Sequence, residues 1–242
     1  MSQIDLKSLR RRLEAQPNGG RIITRFAPSP TGYLHLGHVV NMVYVWGLAA
    51  RLDAEVIVRL EDHDRGRCRP EYRAAILENL EWMGLKTAHE SWASLREDVR
   101  RSPYMQTNRT AHYEAVIAKL REQGLVYACD CSRKSIRART GQPGGEEIRY
   151  DGHCRGRGVS EEGPHTLRVR LPEGEVEFED VCLGKMVQVP AEQCGDLPLI
   201  DRNGNYTYQL CVVADDIEQG VDFIVRGEDI LSSTGRQLLL GR

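Results

Sequence analysis

Residues 21–38 read R-I-I-T-R-F-A-P-S-P-T-G-Y-L-H-L-G-H and contain three successive local patterns. Residues 22–26 are mostly β-branched or aromatic, which is typical of a strand. Residues 27–32 hold two prolines and a glycine, which indicate a tight loop. From residue 36 to residue 52, apolar side chains recur at helical spacing; these are Val39, Val40, Val43, Trp46, Leu48 and Leu52. We therefore predict a strand, a loop and a helix in succession.

A second short apolar run, residues 54–60, follows this helix and predicts a second, buried strand. Two strands joined by a helix indicate a parallel βαβ unit with a right-handed crossover. A helix at 206–219 and a further strand at 221–226 are predicted near the end of the chain. Ligands of such sheets bind beyond the carboxyl ends of the strands, so we expect Arg25, Glu61 and Arg226 at that edge.

The predicted helix at residue 36 begins beside two histidines, His35 and His38. A helix N-terminus carries unpaired N–H groups and a partial positive charge, and both attract phosphate. Residues three apart share one side of the first turn, so both imidazoles can donate hydrogen bonds to the same anion. The alternative is a capped core helix with two solvated histidines. The Pro-Ser-Pro-Thr-Gly segment in front of the pair favours the anion site.

Composition limits the remaining possibilities. The chain has 242 residues, of which 40% are hydrophobic and 28% charged, with 33 basic against 35 acidic residues. This is ordinary for a globular protein, and the net charge of -2 gives no general argument for nucleic-acid binding. No G-x-G-x-x-G is present, so a dinucleotide cofactor is not indicated. No apolar run suits a bilayer or a signal peptide, and the expectation is a cytoplasmic protein.

Three of the seven cysteines are grouped, as Cys129, Cys131 and Cys154. Three thiolates and one further donor form the closed tetrahedral site typical of structural zinc. The fourth ligand could be His153 or Tyr150. Imidazole is the commoner zinc ligand, but His153 adjoins Cys154, and neighbours seldom reach one ion. Free buried cysteines are the alternative. The remaining cysteines are interpreted as packing residues; they are Cys68, Cys182, Cys194 and Cys211.

Basic residues surround this cysteine group. They are Arg133, Lys134, Arg137, Arg139, Arg149, Arg155 and Arg157. A local basic run of this kind can neutralise the backbone phosphates of RNA. A solvated protein face is the alternative, because Glu146, Glu147 and Asp151 interrupt the run.

Motifs along the chain resemble, in the same order, the class I aminoacyl-tRNA synthetases. Residues 35–38, His-Leu-Gly-His, correspond to the His-Ile-Gly-His element of that class, and residues 25–32 resemble its glutamyl branch. Residues 59–64 match Arg-Ile-Glu-Asp-Thr-Asp, and residues 104–109 match Tyr-x-Gln-Ser-x-Arg. Residues 208–210, 215–216 and 225–229 also resemble the family. The resemblance implies an α/β, Rossmann-type class I catalytic domain with a zinc-binding insertion.

The resemblance also implies a role for individual residues. It places glutamate against Arg25, Phe26, Ala27, Pro28, Ser29, Glu61, Tyr208 and Arg226, with Glu61 on the α-amino group. It places ATP, with Mg²⁺, against Pro28, Ser29, His35, Gly37 and His38, and it makes His35 and His38 the catalytic residues. Two guanidinium groups suit a dicarboxylic amino acid, because each can hold one carboxylate bidentately.

Residues 150–155, Tyr-Asp-Gly-His-Cys-Arg, resemble a short branch of the family, the glutamyl-Q tRNA(Asp) synthetases, which lack an anticodon-binding domain. That match implies structural Zn²⁺ on Cys129, Cys131, Tyr150 and Cys154. It implies transfer of L-glutamate to the queuosine base in the anticodon of tRNA(Asp), by a monomer without membrane contact. The alternatives are a fragment of a discriminating glutamyl-tRNA synthetase and a non-catalytic, zinc-stabilised tRNA-binding module.

The expected organisation has four parts: an N-terminal surface extension (1–20), a first catalytic half (21–124), a zinc-binding insertion (125–165) and a second catalytic half (166–242). The family carries a lysine-rich signature, Lys-Met-Ser-Lys-Ser or a relative of it, downstream of the Arg226 region. The chain reaches Arg242 without a match, and Lys185-Met186 stands in another context. The expectation is therefore a catalytic domain that is incomplete at its C-terminal end.

Overall fold

The computed structural model describes residues 5–16, 19–143 and 147–242. Pro17, Asn18 and Glu146 lie outside this described part. The chain forms two compact units, Met1–Thr110 with Asp215–Ile230, and Ala111–Ala214 with Leu231–Arg242. The boundaries between these units differ from residues 125 and 166, where the zinc-binding insertion and the second catalytic half are predicted to begin. Those two limits stay predictions. Within the described ranges no helix has the length and apolar character needed to cross a membrane.

The N-terminal helix α1 (Leu6–Glu14) is part of the first unit's core. Asp5 caps it by accepting from two backbone N–H groups, both at 3.1 Å. Its buried residues Leu9 and Leu13 pack in one cluster with Ile22 and Leu52. The prediction of a surface extension is therefore wrong for this helix, because its leucine face is covered by the unit that follows it.

Two parallel strands organise the first unit. Strand β1 (Ile23–Phe26), helix α2 (Leu36–Leu52) and strand β2 (Glu55–Val58) follow in the predicted order. The strands pair in parallel, from Ile23 opposite Glu55 to Phe26 opposite Val58. The predicted βαβ unit is thus confirmed, and the bounds of its helix agree with the sequence pattern.

Helix α2 buries another face than the apolar positions Val39, Val40 and Val43 suggest. Met42, Val45, Ala49 and Leu52 are its buried residues. By contrast Val39, Val40 and Val43 are 38%, 49% and 67% exposed. The helix is apolar on nearly all sides, so helical spacing identifies the element without selecting the side that packs.

Helices α3 (Pro70–Trp82) and α4 (His89–Glu97) and a 3₁₀ turn (Gln106–Asn108) complete the long part of the first unit. The segment after β2 is held by the segment before this turn. Leu60 and Met105 form a parallel bridge, and Asp62 accepts from the backbone and hydroxyl of Thr107 at 2.8 and 2.7 Å. Residues 60–63 are therefore fixed although they lie beyond the strand.

The predicted strand at 221–226 is not formed as a regular strand. The Asp222 N–H does donate to the Ile23 carbonyl at 2.8 Å. The reciprocal bond is missing, because the Ile23 N–H donates to the side chain of Asp222 at 2.7 Å and not to a backbone carbonyl. The segment lies along β1, but a side chain replaces part of the ladder.

The second unit contains most of the remaining elements. They are α5 (Thr110–Glu122), β3 (Val126–Cys129), α6 (Arg133–Thr140), β4 (Thr166–Val169), β5 (Val176–Asp180), β6 (Gly184–Gln188), α7 (Pro190–Gln193), β7 (Leu197–Ile200), α8 (Tyr208–Glu218) and α9 (Ser233–Leu240). Strands β3, β4 and β7 form one antiparallel sheet, and β5 and β6 form a hairpin. Strand β4 therefore pairs with β3 and β7, whereas β5 pairs with β6. The chain passes into the first unit within α8, at residue 215.

Candidate active site and candidate metal centre

Arg25 and Glu61 lie at the carboxyl edge of the parallel strands in the first unit. Arg25 is the penultimate residue of β1, and Glu61 follows β2 by three positions. The Glu61 N–H donates to the carbonyl of Pro28 at 3.1 Å, which ties the loop after β1 to the segment after β2. Both charged side chains are buried, each with 5% exposure.

Arg59 holds the acidic groups of this edge together. Its Nη2 donates to Glu61 at 3.1 Å, and its Nη1 donates to Asp216 at 2.8 Å. Its Nε lies 3.7 Å from Asp215. Burial alone lowers the pKa of Arg59, but the three carboxylates outweigh burial and the pKa lies above its ordinary value. Arg59 therefore stays charged although its side chain is fully buried.

The acidic pair on α8 serves two further arginines. Arg25 Nε donates to Asp216 at 3.2 Å, and Arg109 Nε donates to Asp215. Gln106 Nε2 also donates to Asp215, at 2.9 Å. Within the described residues, three buried guanidinium groups thus face the buried carboxylates of Glu61 and Asp215 and the partly buried carboxylate of Asp216, which is the pairing that buried charges require.

The surroundings of Glu61 disfavour its charged form. Burial raises its pKa, against the opposing effects of Arg59 and Arg25. A cationic ligand group beside Glu61 would favour the ionised form. The edge is therefore suited to receive a positive group at Glu61.

The paired histidines form the cap of α2. His35 Nδ1 accepts from the Gly37 N–H and His38 Nδ1 accepts from the His35 N–H, both at 3.2 Å. The ring centroids are 4.1 Å apart, so the two rings share one side of the first turn. Because each Nδ1 accepts, each neutral ring carries its proton on Nε2. Burial, followed by the neighbouring His35, lowers the pKa of His38, which favours its neutral donor form.

This cap also explains the glycine at position 37. A Cβ atom there would lie 3.0 Å from Cε1 of His35, closer than side chains normally approach. The N-terminus of α2 is thus capped by its own imidazoles, and a phosphate would meet imidazole N–H groups at this point.

The other predicted contacts are distributed over both units. Phe26, Ala27, Pro28 and Ser29 belong to β1 and the loop after it, and Pro28 is buried. Arg226 follows Val225, whose carbonyl accepts from Asn41 of α2 at 3.4 Å. Tyr208, the first residue of α8, belongs to the second unit. The part of the site that the first unit brings together is therefore Arg25, Glu61 and the loop between β1 and α2.

The predicted cysteine group is compact. The sulfur atoms of Cys129, Cys131 and Cys154 all lie within 4.8 Å of one another, and all three residues are buried. Guanidinium groups point at two of them: Arg139 Nη2 is 3.3 Å from the sulfur of Cys131, and Arg157 Nη1 is 3.6 Å from that of Cys154. Burial raises the pKa of the Cys131 thiol to about 11, against the opposing effect of Arg139, so metal binding there would have to displace the thiol proton.

The geometry distinguishes the two candidates for the fourth ligand. The Tyr150 hydroxyl lies 3.4 Å from the sulfur of Cys129 and accepts from the Cys154 N–H at 2.8 Å. Among the described residues, His153 is not part of the group whose donor atoms converge. Three sulfur atoms and a phenol oxygen are a donor set that fits zinc. The interpretation of Cys182 as a packing residue is wrong, because Cys182 is exposed.

Most of the predicted basic run is used internally. Arg139 pairs with Asp151, and Arg155 pairs with the buried Asp196. Arg157 lies 3.5 Å from Asp130, and Arg149 Nε donates to the carbonyl of Ala191 at 3.2 Å. Arg133 and Lys134, at the start of α6, are exposed. The part of the run that remains for an external phosphate is therefore smaller than the sequence indicates.

Sequence reasoning missed how much the site depends on Arg59, Asp215 and Asp216. A signal does exist in α8, where Asp215 lies four positions after the buried Cys211, on the apolar side of the helix. An acid on an apolar stripe indicates a buried ion pair, since such residues are almost never buried alone.

The comparisons with known proteins agree with this geometry. The family model described as "tRNA synthetases class I (E and Q), catalytic domain" matches residues 21–242. Two solved structures are similar: a glutamate tRNA ligase from Elizabethkingia meningosepticum in complex with its amino acid, and the glutamate-tRNA synthetase from Elizabethkingia anophelis. Each has 27% identity and a TM-score of 0.76 over 91% of this chain.

The aligned region covers 46% and 47% of those two structures, so this chain spans less than half of their length. The match to the family model extends over more than nine-tenths of this chain. Over residues 21–242, the chain belongs to the family of class I tRNA synthetases for E and Q, as their catalytic domain.

Proposed function

We propose that the protein activates L-glutamate with ATP, as glutamyl-adenylate, and transfers the glutamyl group to the queuosine base in the anticodon of tRNA(Asp). The observation that carries the first step is the buried guanidinium of Arg25 beside Glu61 at the ligand edge of the sheet. This edge can hold both a carboxylate and an ammonium group, which are the two charged ends of an amino acid.

Arg25 suits the carboxylate of the amino acid. Its ion pair with Asp216 uses Nε alone, so the terminal nitrogens of the planar fork can turn to a ligand. Glu61 suits the ammonium group, whose charge would offset the burial that raises the pKa of this side chain. Arg226 and Tyr208 are proposed for the remaining carboxylate, because a glutamate has two.

In the first reaction, an oxygen of the substrate's α-carboxylate attacks the α-phosphorus of ATP, and pyrophosphate leaves. The Nε2–H groups of His35 and His38 would donate to the phosphate oxygens as charge develops on them. Pro28, Ser29 and Gly37 would border the nucleotide in the same loop. Mg²⁺ bound with ATP would neutralise part of the phosphate charge.

In the second reaction, a hydroxyl of the tRNA attacks the acyl carbon of the adenylate, and AMP leaves. The queuosine base supplies such a hydroxyl on its ring. The string at residues 150–155 supports this branch. The cysteine group with Tyr150 would hold a structural Zn²⁺ that fixes this segment.

Pyrophosphate exchange tests the first reaction. The protein is incubated with glutamate, ATP and labelled pyrophosphate without tRNA, and label is expected in ATP. Arg25→Met should abolish exchange. Arg21→Met is the matched control, because Arg21 is exposed and pairs with Glu55 at the other end of the strands. Absence of exchange in well-folded, zinc-loaded protein would favour a non-catalytic tRNA-binding module.

Labelled glutamate tests the second reaction. tRNA(Asp) with queuosine is expected to accept label, and the same tRNA without queuosine is not. Nuclease mapping then locates the label in the anticodon loop. Equal labelling of both tRNAs at the 3′ end would refute the queuosine proposal.

A further inference from the structure

His63 lies two residues beyond Glu61 at the same carboxyl edge. Its ring is half-buried, and its Nδ1 lies 2.7 Å from Oε1 of Gln106. Gln106 is almost fully buried, with 2% exposure. The segment that carries His63 is fixed by the bridge between Leu60 and Met105. The imidazole therefore has a defined position and a defined partner on its inner side.

The hydrogen bonds determine where the proton of this imidazole lies. Asp215 is a carboxylate between Arg59 and Arg109, so it only accepts hydrogen bonds. The amide nitrogen of Gln106 must therefore face Asp215, to which it donates at 2.9 Å. This leaves Oε1, an acceptor, toward the ring, and Nδ1 of His63 must be the protonated nitrogen.

A neutral imidazole with its proton on Nδ1 has an acceptor at Nε2. This is the opposite of His35 and His38, whose Nδ1 atoms accept and whose Nε2 atoms carry the proton. The chain thus supplies imidazoles of both kinds. Two are fixed as donors, and one is fixed as an acceptor.

A proton acceptor is needed in only one of the two proposed reactions. In the first, the attacking carboxylate is already ionised, so the nucleophile gives up no proton. In the second, the nucleophile is an alcohol, which must lose its proton as the ester bond forms. Only the transfer reaction therefore gains from a neutral imidazole that accepts.

We infer that His63 is the general base of the transfer reaction and that Gln106 is the residue that positions it. This inference rests on the proposed function. As the hydroxyl oxygen forms its bond to the acyl carbon, its proton moves to Nε2 of His63. The bond between the acyl carbon and the phosphate oxygen breaks, and AMP leaves with that electron pair.

Nitrogen-15 NMR of the imidazoles tests the positioning without any substrate. The signals of His63 are assigned by their loss in His63→Gln. They are expected to show protonated Nδ1 and bare Nε2, while His35 and His38 in the same spectrum show the reverse. In Gln106→Met the acceptor is gone, and His63 should change to the form protonated on Nε2. A wild-type His63 protonated on Nε2 would overturn the inference, whether or not the Gln106 variant folds.

Separate assays of the two reactions test the catalytic role. His63→Gln is expected to slow single-turnover transfer from preformed adenylate by about a hundredfold or more. Pyrophosphate exchange should change by less than about threefold, since the first reaction needs no base. His89→Gln is the control for both assays, because His89 is exposed at the start of α4.

Three results would refute the catalytic role. The transfer rate of His63→Gln could equal that of the wild type, or the rates of exchange and transfer could fall by the same factor. A saturating tRNA concentration could also restore the wild-type transfer rate, which would show that the substitution weakens tRNA binding and not the chemical step. Failure of the proposed function is a distinct result, because the wild type would then give no exchange. The NMR experiment would still decide the protonation of His63 in that case.

Discussion

Arg59→Met should destabilise the first unit strongly. Arg59 is fully buried, and its removal takes one counter-charge from Glu61, Asp215 and Asp216, which keep Arg25 and Arg109 as neighbours. Removing one partner of a buried ion pair costs about 3–5 kcal/mol. For a chain of this size, each kcal/mol shifts Tm by about 2–4 °C, so Tm should fall by roughly 6–20 °C.

Tryptophan fluorescence during urea unfolding measures this loss of stability in the first unit. All three tryptophans, at positions 46, 82 and 92, belong to the first unit. Arg67→Met is the matched control. Arg67 pairs with Asp64, but its side chain is 74% exposed, and such surface pairs are worth about 0–1 kcal/mol.

A second substitution tests the electrostatic origin of the effect. Adding Asp216→Asn to Arg59→Met removes one of the uncompensated carboxylates, so the double variant should recover part of the lost free energy of unfolding. If Arg59→Met unfolds within 1 kcal/mol of Arg67→Met (a difference of about the size of a surface pair), the buried network does not stabilise the unit as we describe.

Three further predictions concern the second unit. Cys131→Ser should reduce bound zinc, measured by elemental analysis, from about one ion per chain, whereas the exposed Cys182→Ser retains it; equal zinc contents would refute the metal centre. Gly195→Ala should lower the urea midpoint more than Gly158→Ala. Both positions have positive φ, 66° and 61°, which costs about 1–2 kcal/mol, but only at 195 would a Cβ lie 2.0 Å from the Tyr150 carbonyl oxygen; equal midpoints would contradict this. Burial disfavours the charged form of Asp196, but hydrogen bonds from Arg155, Tyr127 and the Leu171 N–H outweigh burial and lower its pKa. The stabilisation is thus complete above the usual aspartate pKa and is lost as pH falls through the depressed value. In Asp196→Asn, the free energy of unfolding should fall less steeply at acid pH than in the wild type. An unchanged pH dependence would show that other groups cause the loss of stability in acid.

Local patterns predicted the elements that depend on local chemistry. The limits of α2 follow from the Pro/Gly loop before it and from Asp53 after it, which adopts positive φ at the C-cap. The cysteine group follows from ligand spacing. In both cases the determining residues are neighbours in sequence.

Other features depend on partners far along the chain. Nothing near Arg59 indicates that Asp216, 157 positions later, balances its charge. The strand expected at 221–226 was lost to one side chain, Asp222, which occupies the N–H of Ile23. The buried side of α2 is likewise set by what packs on it. Hydrophobic periodicity describes a single helix or strand, whereas these features depend on contacts between two elements.

The long separation of the buried charges has a consequence for synthesis on the ribosome. Arg59 and Arg109 emerge 157 and 106 positions before Asp216 and Asp215, respectively. During translation of residues 111–214, the nascent N-terminal segment therefore holds guanidinium groups whose partners on α8 do not yet exist. Those groups stay hydrated until α8 is made, because burying them without these carboxylates is too costly. Each unit also includes residues beyond position 214, so neither unit can complete its fold before the last part of the chain is synthesised.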